Sequence, residues 1–179
     1  MIGTHVGATF RWPMIGTHMA RIGVRLLLFI AILATIGCDR VTKHIASTTL
    51  ADAPSRSFLA DTFRLEYAEN TGAFLSVGAD WPRPVRTAVF GVGNTVLLAA
   101  LTVVAVRRRW PRMALLGVAL FVAGGASNLL DRISYGMVID FMNVGVGPLR
   151  TGIFNVADMA IMLGAGLLVF EGYRAKRPV

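Results

Sequence analysis

Between Gly124 and Asp158 the chain carries three of its ten acidic residues, Asp131, Asp140 and Asp158, in a stretch that joins two apolar segments. An ionisable side chain at the edge of a hydrocarbon layer costs several kcal/mol, so its presence there points to function. Asp140 lies within Val138-Ile139-Asp140-Phe141, where a lone carboxylate gains nothing. Asp158 has a structural explanation of its own: Asn155 is a good helix N-cap, and an acid three residues on makes a capping box with a shorter acid than usual. That accounts for a helix start and leaves Asp140 unexplained. Two carboxylates sharing one site cannot both ionise cheaply, so one proton is held between them and the pair titrates as a unit. Asp140 and Asp158 are therefore read as an aspartyl dyad embedded at the membrane. Asp158, at a helix N-terminus whose dipole favours negative charge, is expected to be the ionised member that takes a proton from water. Asp140 would hydrogen-bond the attacked carbonyl and support loss of the leaving amine. No metal and no cofactor is expected, because Cys38, His44 and the tail histidines His5 and His18 lie too far apart for a typical zinc site.

Polar residues gather at the same membrane level in three of the four apolar spans. Asp39 and Lys43 are i,i+4 neighbours, which reads first as a structural ion pair, with Arg40 as a snorkelling basic end. Asn70 and Gly72, in Glu69-Asn70-Thr71-Gly72-Ala73-Phe74, suit a turn that re-enters the membrane surface, though a plain hairpin turn explains them as well. Asn128 and Arg132 share one helix face, and Asp131, beside Arg132 and three residues after Asn128, is expected to hold that helix end by hydrogen bonds or an ion pair. Gly124 and Gly125 would allow close approach of another helix.

The elements that must position these residues are membrane spans. With 55% hydrophobic and 16% charged residues and a mean hydropathy of +0.62, the chain is too apolar for an ordinary soluble domain. The net charge of +8 comes from short basic clusters between apolar runs, which speaks for membrane topology and against nucleic acid. The lone cysteine excludes an intrachain disulfide. Met1–His5 and Met14–His18 repeat MIGTH, and a start codon at Met1, Met14 or Met19 is equally compatible with the sequence; residues 1–20 are given no functional weight.

Only thirteen uncharged residues separate Arg25 from Asp39, roughly 20 Å of helix against a core of roughly 30 Å. The first span must therefore run on to about residue 45, with Asp39, Arg40 and Lys43 facing protein or water. Further spans are expected over 87–106, 113–131 and 154–171, with a basic tail after the last. Residues 47–86 form the sizeable polar segment, and Phe63, Leu65 and Tyr67 alternate there with Arg64, Glu66 and Ala68, the pattern of a half-buried strand. The fold class is an all-α membrane protein: four transmembrane helices in one domain, with a small sheet between helices 1 and 2. Ten of the eighteen Lys and Arg fall in the N-terminal segment, the middle loop and the tail, so both termini are expected in the cytoplasm and the acidic residues, Glu171 excepted, near the outer face.

At this point the chain resembles a known family, the lipoprotein signal peptidases (signal peptidase II) of bacterial inner membranes. Five blocks carry the resemblance in order: Asp39–Lys43 (DRVTK), Asn70–Phe74 (NTGAF), Gly124–Arg132 (GGASNLLDR), Val138–Phe141 (VIDF) and Phe154–Asp158 (FNVAD). It implies four transmembrane helices with a small periplasmic β-sheet, and an aspartic endopeptidase whose catalytic aspartates are Asp140 and Asp158. It also implies that Asp39, Lys43, Asn70, Gly72, Gly124, Asn128, Arg132, Asn155 and Ala157 bind substrate or support the site. The implied substrate is a prolipoprotein bearing a diacylglyceryl cysteine, cut just before that cysteine. Membrane lipids are the other partner, nucleic acid is not one, and the chain is expected to act as a monomer in the cell inner membrane. Departures are Arg40, where Gln is frequent, and Leu149-Arg150-Thr151-Gly152-Ile153, where Trp or Pro often precedes the last block. Two rivals remain open from the residues. A proton-coupled transporter would place carboxylates nearer the midplane. Thr35-Ile36-Gly37-Cys38 after an apolar run is similar to a lipoprotein signal with its modification cysteine.

Overall fold

The computed structural model describes residues 15–72, 77–108 and 110–176, with side chains from residue 22 onward. The MIGTH repeat, His5, Ala73, Phe74, Arg109 and Arg177 lie outside the described residues or, for the repeat's second copy with His18, outside the described side chains.

Four long apolar helices alternate in direction. Helix α1 covers Ile15–Thr49, α2 Arg83–Arg107, α3 Arg112–Tyr135 and α4 Val156–Ala175. Each is long and apolar enough to cross a membrane. The first span thus continues past Asp39, as its short uncharged run requires, and ends four residues beyond the expected boundary. Within α2, Thr87–Gly93 is wound as a π-helix, a departure that nothing in the hydropathy pattern signals. Helix α3 stops at Tyr135 because Gly136 takes the left-handed conformation (φ 76°) that closes a helix C-terminus.

Helix α3 is central. Half of its apolar stretch is buried, whereas α1, α2 and α4 leave nearly all of theirs facing outward, and all three pack on α3. Exposed residues such as Leu27, Ile30, Val92, Val96, Leu163 and Val169 form the apolar jacket expected of a protein solvated by lipid. Small residues set the α3–α4 distance. A Cβ at Gly124 would stand 2.4 Å from the Ala157 carbonyl oxygen, and one at Gly164 would stand 2.5 Å from that of Gly117. Without a solvent-driven hydrophobic force inside lipid, such backbone contact is what holds two helices together.

A four-stranded antiparallel sheet, ordered β1-β2-β3-β4, caps one end of the bundle. Strands β1 (Arg56–Phe58) and β2 (Phe63–Asn70) come from the segment between α1 and α2. The alternating Phe63, Leu65 and Tyr67 do form a strand, and Leu65 and Tyr67 pack against the buried trio Ala46, Leu50 and Phe141 where α1 meets the sheet. The other half was not foreseen: β3 (Val138–Val146) and β4 (Leu149–Arg150) come from the loop between α3 and α4. An apolar run of the type Val-Ile-Asp-Phe fits a strand covered on both faces as well as it fits a membrane segment, so periodicity could not identify it. In the tight β1–β2 connection Asp61 accepts from Arg64 Nε at 2.6 Å, Arg64 Nη2 at 2.5 Å and Ser57 Oγ at 2.7 Å. The Arg64 guanidinium holds the Asp61 carboxyl well below the usual carboxylate range.

Candidate active site

Asp140 sits in β3 opposite Ala68 of β2, next to an irregularity between Leu65 and Ala68 where β2 carries one extra residue. Side chains two apart on a strand share a face, so Asn70 becomes the diagonal neighbour of Asp140. Its Nδ2 donates to Asp140 Oδ2 at 2.9 Å, while its Oδ1 accepts the Gly72 backbone N–H at 2.9 Å. Asn70 and Gly72 therefore act as one turn unit that aims an amide at the carboxylate. On the other side of β3, the Phe141 and Met142 N–H groups donate to the Phe154 carbonyl at 3.1 and 2.9 Å, and the Phe154 N–H donates to the Met142 carbonyl at 2.8 Å. That pairing brings the next residue, Asn155, against Asp140, and Asn155 Nδ2 donates to Asp140 Oδ1 at 2.6 Å.

Asn155 also starts α4. Its Oδ1 accepts the Asp158 N–H at 2.9 Å, and Asp158 Oδ2 accepts the Asn155 N–H at 3.2 Å. The capping box read from the spacing is present, and it coexists with a second use of the same carboxylate, because Asp158 Oδ1 accepts from Asn128 Nδ2 at 2.9 Å. One fully buried asparagine thus contacts both carboxylates, Asp140 through its side chain and Asp158 through its backbone. Asp140 is 2% exposed. Burial pushes its carboxyl up to about 6; the Asn70 amide pulls it back, and the nearby Asp158 charge adds to the rise.

Behind this pair lies a cluster of two buried carboxylates with the buried Lys43 and the partly exposed Arg40. Lys43 Nζ donates to Asn128 Oδ1 at 2.7 Å and forms ion pairs, also at 2.7 Å, with Asp39 Oδ2 and Asp131 Oδ2. Arg40 pairs with the other Asp131 oxygen. Asp39, fully buried, accepts from Ser127 Oγ at 2.7 Å and from the Ala157 N–H at 2.8 Å. An anion on a first-turn amide also suits the positive end of the α4 dipole. The charges balance locally, which is what permits them at this depth. The expected i,i+4 pair of Asp39 with Lys43 is found. Asp131 holds the end of α3 by ion pairs, as expected, and its partners are Arg40 and Lys43 on α1. Arg40 is accordingly half of a cross-helix ion pair and not a snorkelling end.

Asn128 and Arg132 share a face of α3, as their spacing requires, and both line a cavity of about 510 Å³ between α2, α3 and α4. Asp158 also lines it, and apart from Asn94 the rest of the wall is apolar, with Leu97, Phe121, Ile161 and Met162. Arg132 reaches out of it to donate from Nη2 to the Gly72 carbonyl at 2.5 Å and from Nη1 to that of Asn70 at 3.5 Å.

A conserved-family profile described as Signal peptidase (SPase) II matches residues 31–174, most of the chain. The chain belongs to the signal peptidase II family. It is 35% identical over 158 residues to the lipoprotein signal peptidase of Psychromonas ingrahamii, covering 87% of this chain and 88% of the relative. It is 33% identical over 172 residues to that of Burkholderia ambifaria, covering 94% and 96%. A solved bacterial membrane enzyme superposes with a TM-score of 0.74 at 21% identity, over 93% of this chain and 96% of that one, which shows the shared fold.

All five blocks that carried the resemblance to signal peptidase II converge at the sheet end of the bundle, as far as they are described. Asp140, Asp158, Asp39, Lys43, Asn70, Gly72, Asn128, Arg132 and Asn155 are joined by the contacts above. Ala157, fully buried, supplies an amide to Asp39 and a carbonyl to the Gly124 contact. Two participants escaped the sequence reading. Ser127 is fully buried against Asp39, yet a serine beside glycines in an apolar helix reads as small-residue packing. Phe90, on the wall of the cavity, is one of ten phenylalanines and carries no local signal.

Proposed function

We propose that Asp140 and Asp158 are the catalytic dyad of a lipoprotein signal peptidase that acts on prolipoproteins bearing a diacylglyceryl cysteine and cuts the bond just before that cysteine. The single observation that carries this reading is Asn155, which contacts both carboxylates, one of which, Asp158, lines a largely apolar cavity. A lipid-anchored peptide needs just such a site, with water-activating groups at one end and an apolar wall beyond. In the reaction Asp158 takes a proton from water as the oxygen attacks the scissile carbonyl, and Asp140 gives its proton to the carbonyl oxygen. The diol intermediate then collapses. Asp158 returns the proton to the leaving nitrogen, the C–N bond breaks, and Asp140 recovers a proton from the diol hydroxyl. Burial raises the affinity of Asp140 for its proton, which fits a group that enters the reaction protonated.

Orientation follows from charge. The dyad, the sheet and nine of the ten acidic residues lie at one end, while Arg107, Arg108, Arg112, Arg174 and Lys176 lie at the other. By the positive-inside rule the basic end, with both termini, faces the cytoplasm and the dyad lies near the periplasmic face of the inner membrane. The test is cleavage of a diacylglyceryl prolipoprotein by the purified protein in detergent, beside the same precursor without its lipid. Release of the signal peptide from the lipidated precursor alone is expected; equal cleavage of both would reject the substrate assignment.

A further inference from the structure

Arg132 has to hold two carbonyls of the turn that carries Asn70, yet a guanidinium at the wall of a cavity is free to swing unless something fixes its plane. The Phe90 ring does so. The Arg132 Cζ lies 5.6 Å from the ring centroid, over its face, within the range of a cation–π contact. Trp81 stacks on the same ring at 5.7 Å and 7°. Two further features hold this stack in place. Gly78 has φ +74° and no room for a Cβ, which would stand 2.9 Å from Trp81 and 3.0 Å from Phe90. Arg86 Nη1 donates to the Ala79 carbonyl at 2.8 Å, tying the same loop to α2. Phe90 itself sits in the π-helical stretch Thr87–Gly93, a geometry frequent at functional sites.

We propose that Phe90 is a positioning residue for signal-peptide cleavage: its ring fixes the Arg132 guanidinium, which clasps Gly72 and Asn70 and so keeps the Asn70 amide on Asp140. The path is continuous in named contacts, from Phe90 to Arg132, to the Gly72 and Asn70 carbonyls, and from Asn70 to Asp140. Cavity lining alone would ask only for an apolar side chain of this size, whereas a cation–π hold asks for a ring. The proposal rests on the dyad assignment above.

Three variants separate the two roles in the full-length protein: Phe90→Leu, Phe90→Tyr, and replacement of Phe90 by phenylalanines of increasing ring fluorination. Fluorination keeps the shape and drains the negative face of the ring. Phe90→Leu is expected to lower kcat about five- to thirty-fold with KM changed less than about threefold, and Phe90→Tyr to retain kcat within about twofold. Log kcat should fall stepwise with fluorine count at unchanged melting temperature, a result that stands even where Phe90→Leu fails to fold. Flat kcat across the fluorinated series, or a Phe90→Leu defect confined to KM, overturns the positioning role. Absence of cleavage by the parent, or parental activity in Asp140→Asn, rejects the dyad reading and is told apart from both.

Discussion

Asp140 is a carboxylate that folding makes harder to ionise, and this has a thermodynamic signature. Its pKa rises from 3.8 to about 6 on folding, so between those values the native state holds more of its proton than the unfolded chain does. Stability contributed by the protonated form is therefore complete below about pH 4 and is lost as pH rises through about 6, at a cost of about 2 to 3 kcal/mol. Asp140→Asn has no such proton to lose. Its melting temperature relative to the parent is expected to climb between pH 4 and pH 7, and a pH-independent difference would contradict the burial argument. Asp39 and Asp131 make the opposite case. Asp39 faces Lys43, and Asp131 faces both Lys43 and Arg40; removing either leaves the buried Lys43 short of a partner, worth about 3 to 5 kcal/mol when burial is complete. Asp39→Asn and Asp131→Asn should melt lower and keep residual turnover. A variant of either that melts like the parent but has no turnover at saturating substrate would belong with the dyad. These residues also mark how far local spacing reaches. Asp39 with Lys43 and Asn155 with Asp158 are pairs within one helical turn, so the sequence shows them directly. Asp131 with Arg40 spans 91 positions, and no local pattern encodes a contact across helices.

At the scale of elements, the helices follow from apolar length, caps and breakers, and β2 follows from its alternation. Strand β3 does not announce itself, because a strand packed on both sides loses the alternation that identifies one. The π-turn in α2 is hidden for a different reason: its residues are ordinary helix residues, and tertiary contacts decide the winding. The α3–α4 seam was legible as glycines and yields a sharp expectation. A methyl at Gly124 must push back the Ala157 backbone, which also carries the amide held by Asp39 and the first turn bearing Asp158. Gly124→Ala should lower both melting temperature and kcat. Gly164→Ala, meeting backbone at 2.5 Å but two turns further from the dyad, should lower melting temperature with a smaller effect on kcat. Gly166→Ala, whose Cβ meets nothing within 4 Å, should do neither. Equal behaviour of all three in a melting assay would remove the seam from the account.

As a whole molecule the protein is a bundle with two chemically distinct ends joined by a lipid-facing apolar wall. Alternating helix direction puts the C-terminal part of α1, the N-terminal part of α2, the C-terminal part of α3 and the first turn of α4 at the same level, which is why residues from Asp39 to Asp158 meet. Composition and charge order made that topology readable; the meeting itself needed the sheet, whose β2–β3 register sets Asn70 beside Asp140. Cys38 is exposed on α1 and takes no part in the network, so Cys38→Ala should process substrate at the parental rate. Loss of processing in that variant would revive the reading of residues 35–38 as a lipidation signal. The most direct test of the central claim compares cleavage of a diacylglyceryl prolipoprotein by purified parent, Asp140→Asn and Asp158→Asn at matched concentration, with folding checked by melting. The account predicts folded variants that release no signal peptide while the parent does, and substantial turnover in either folded variant would contradict it.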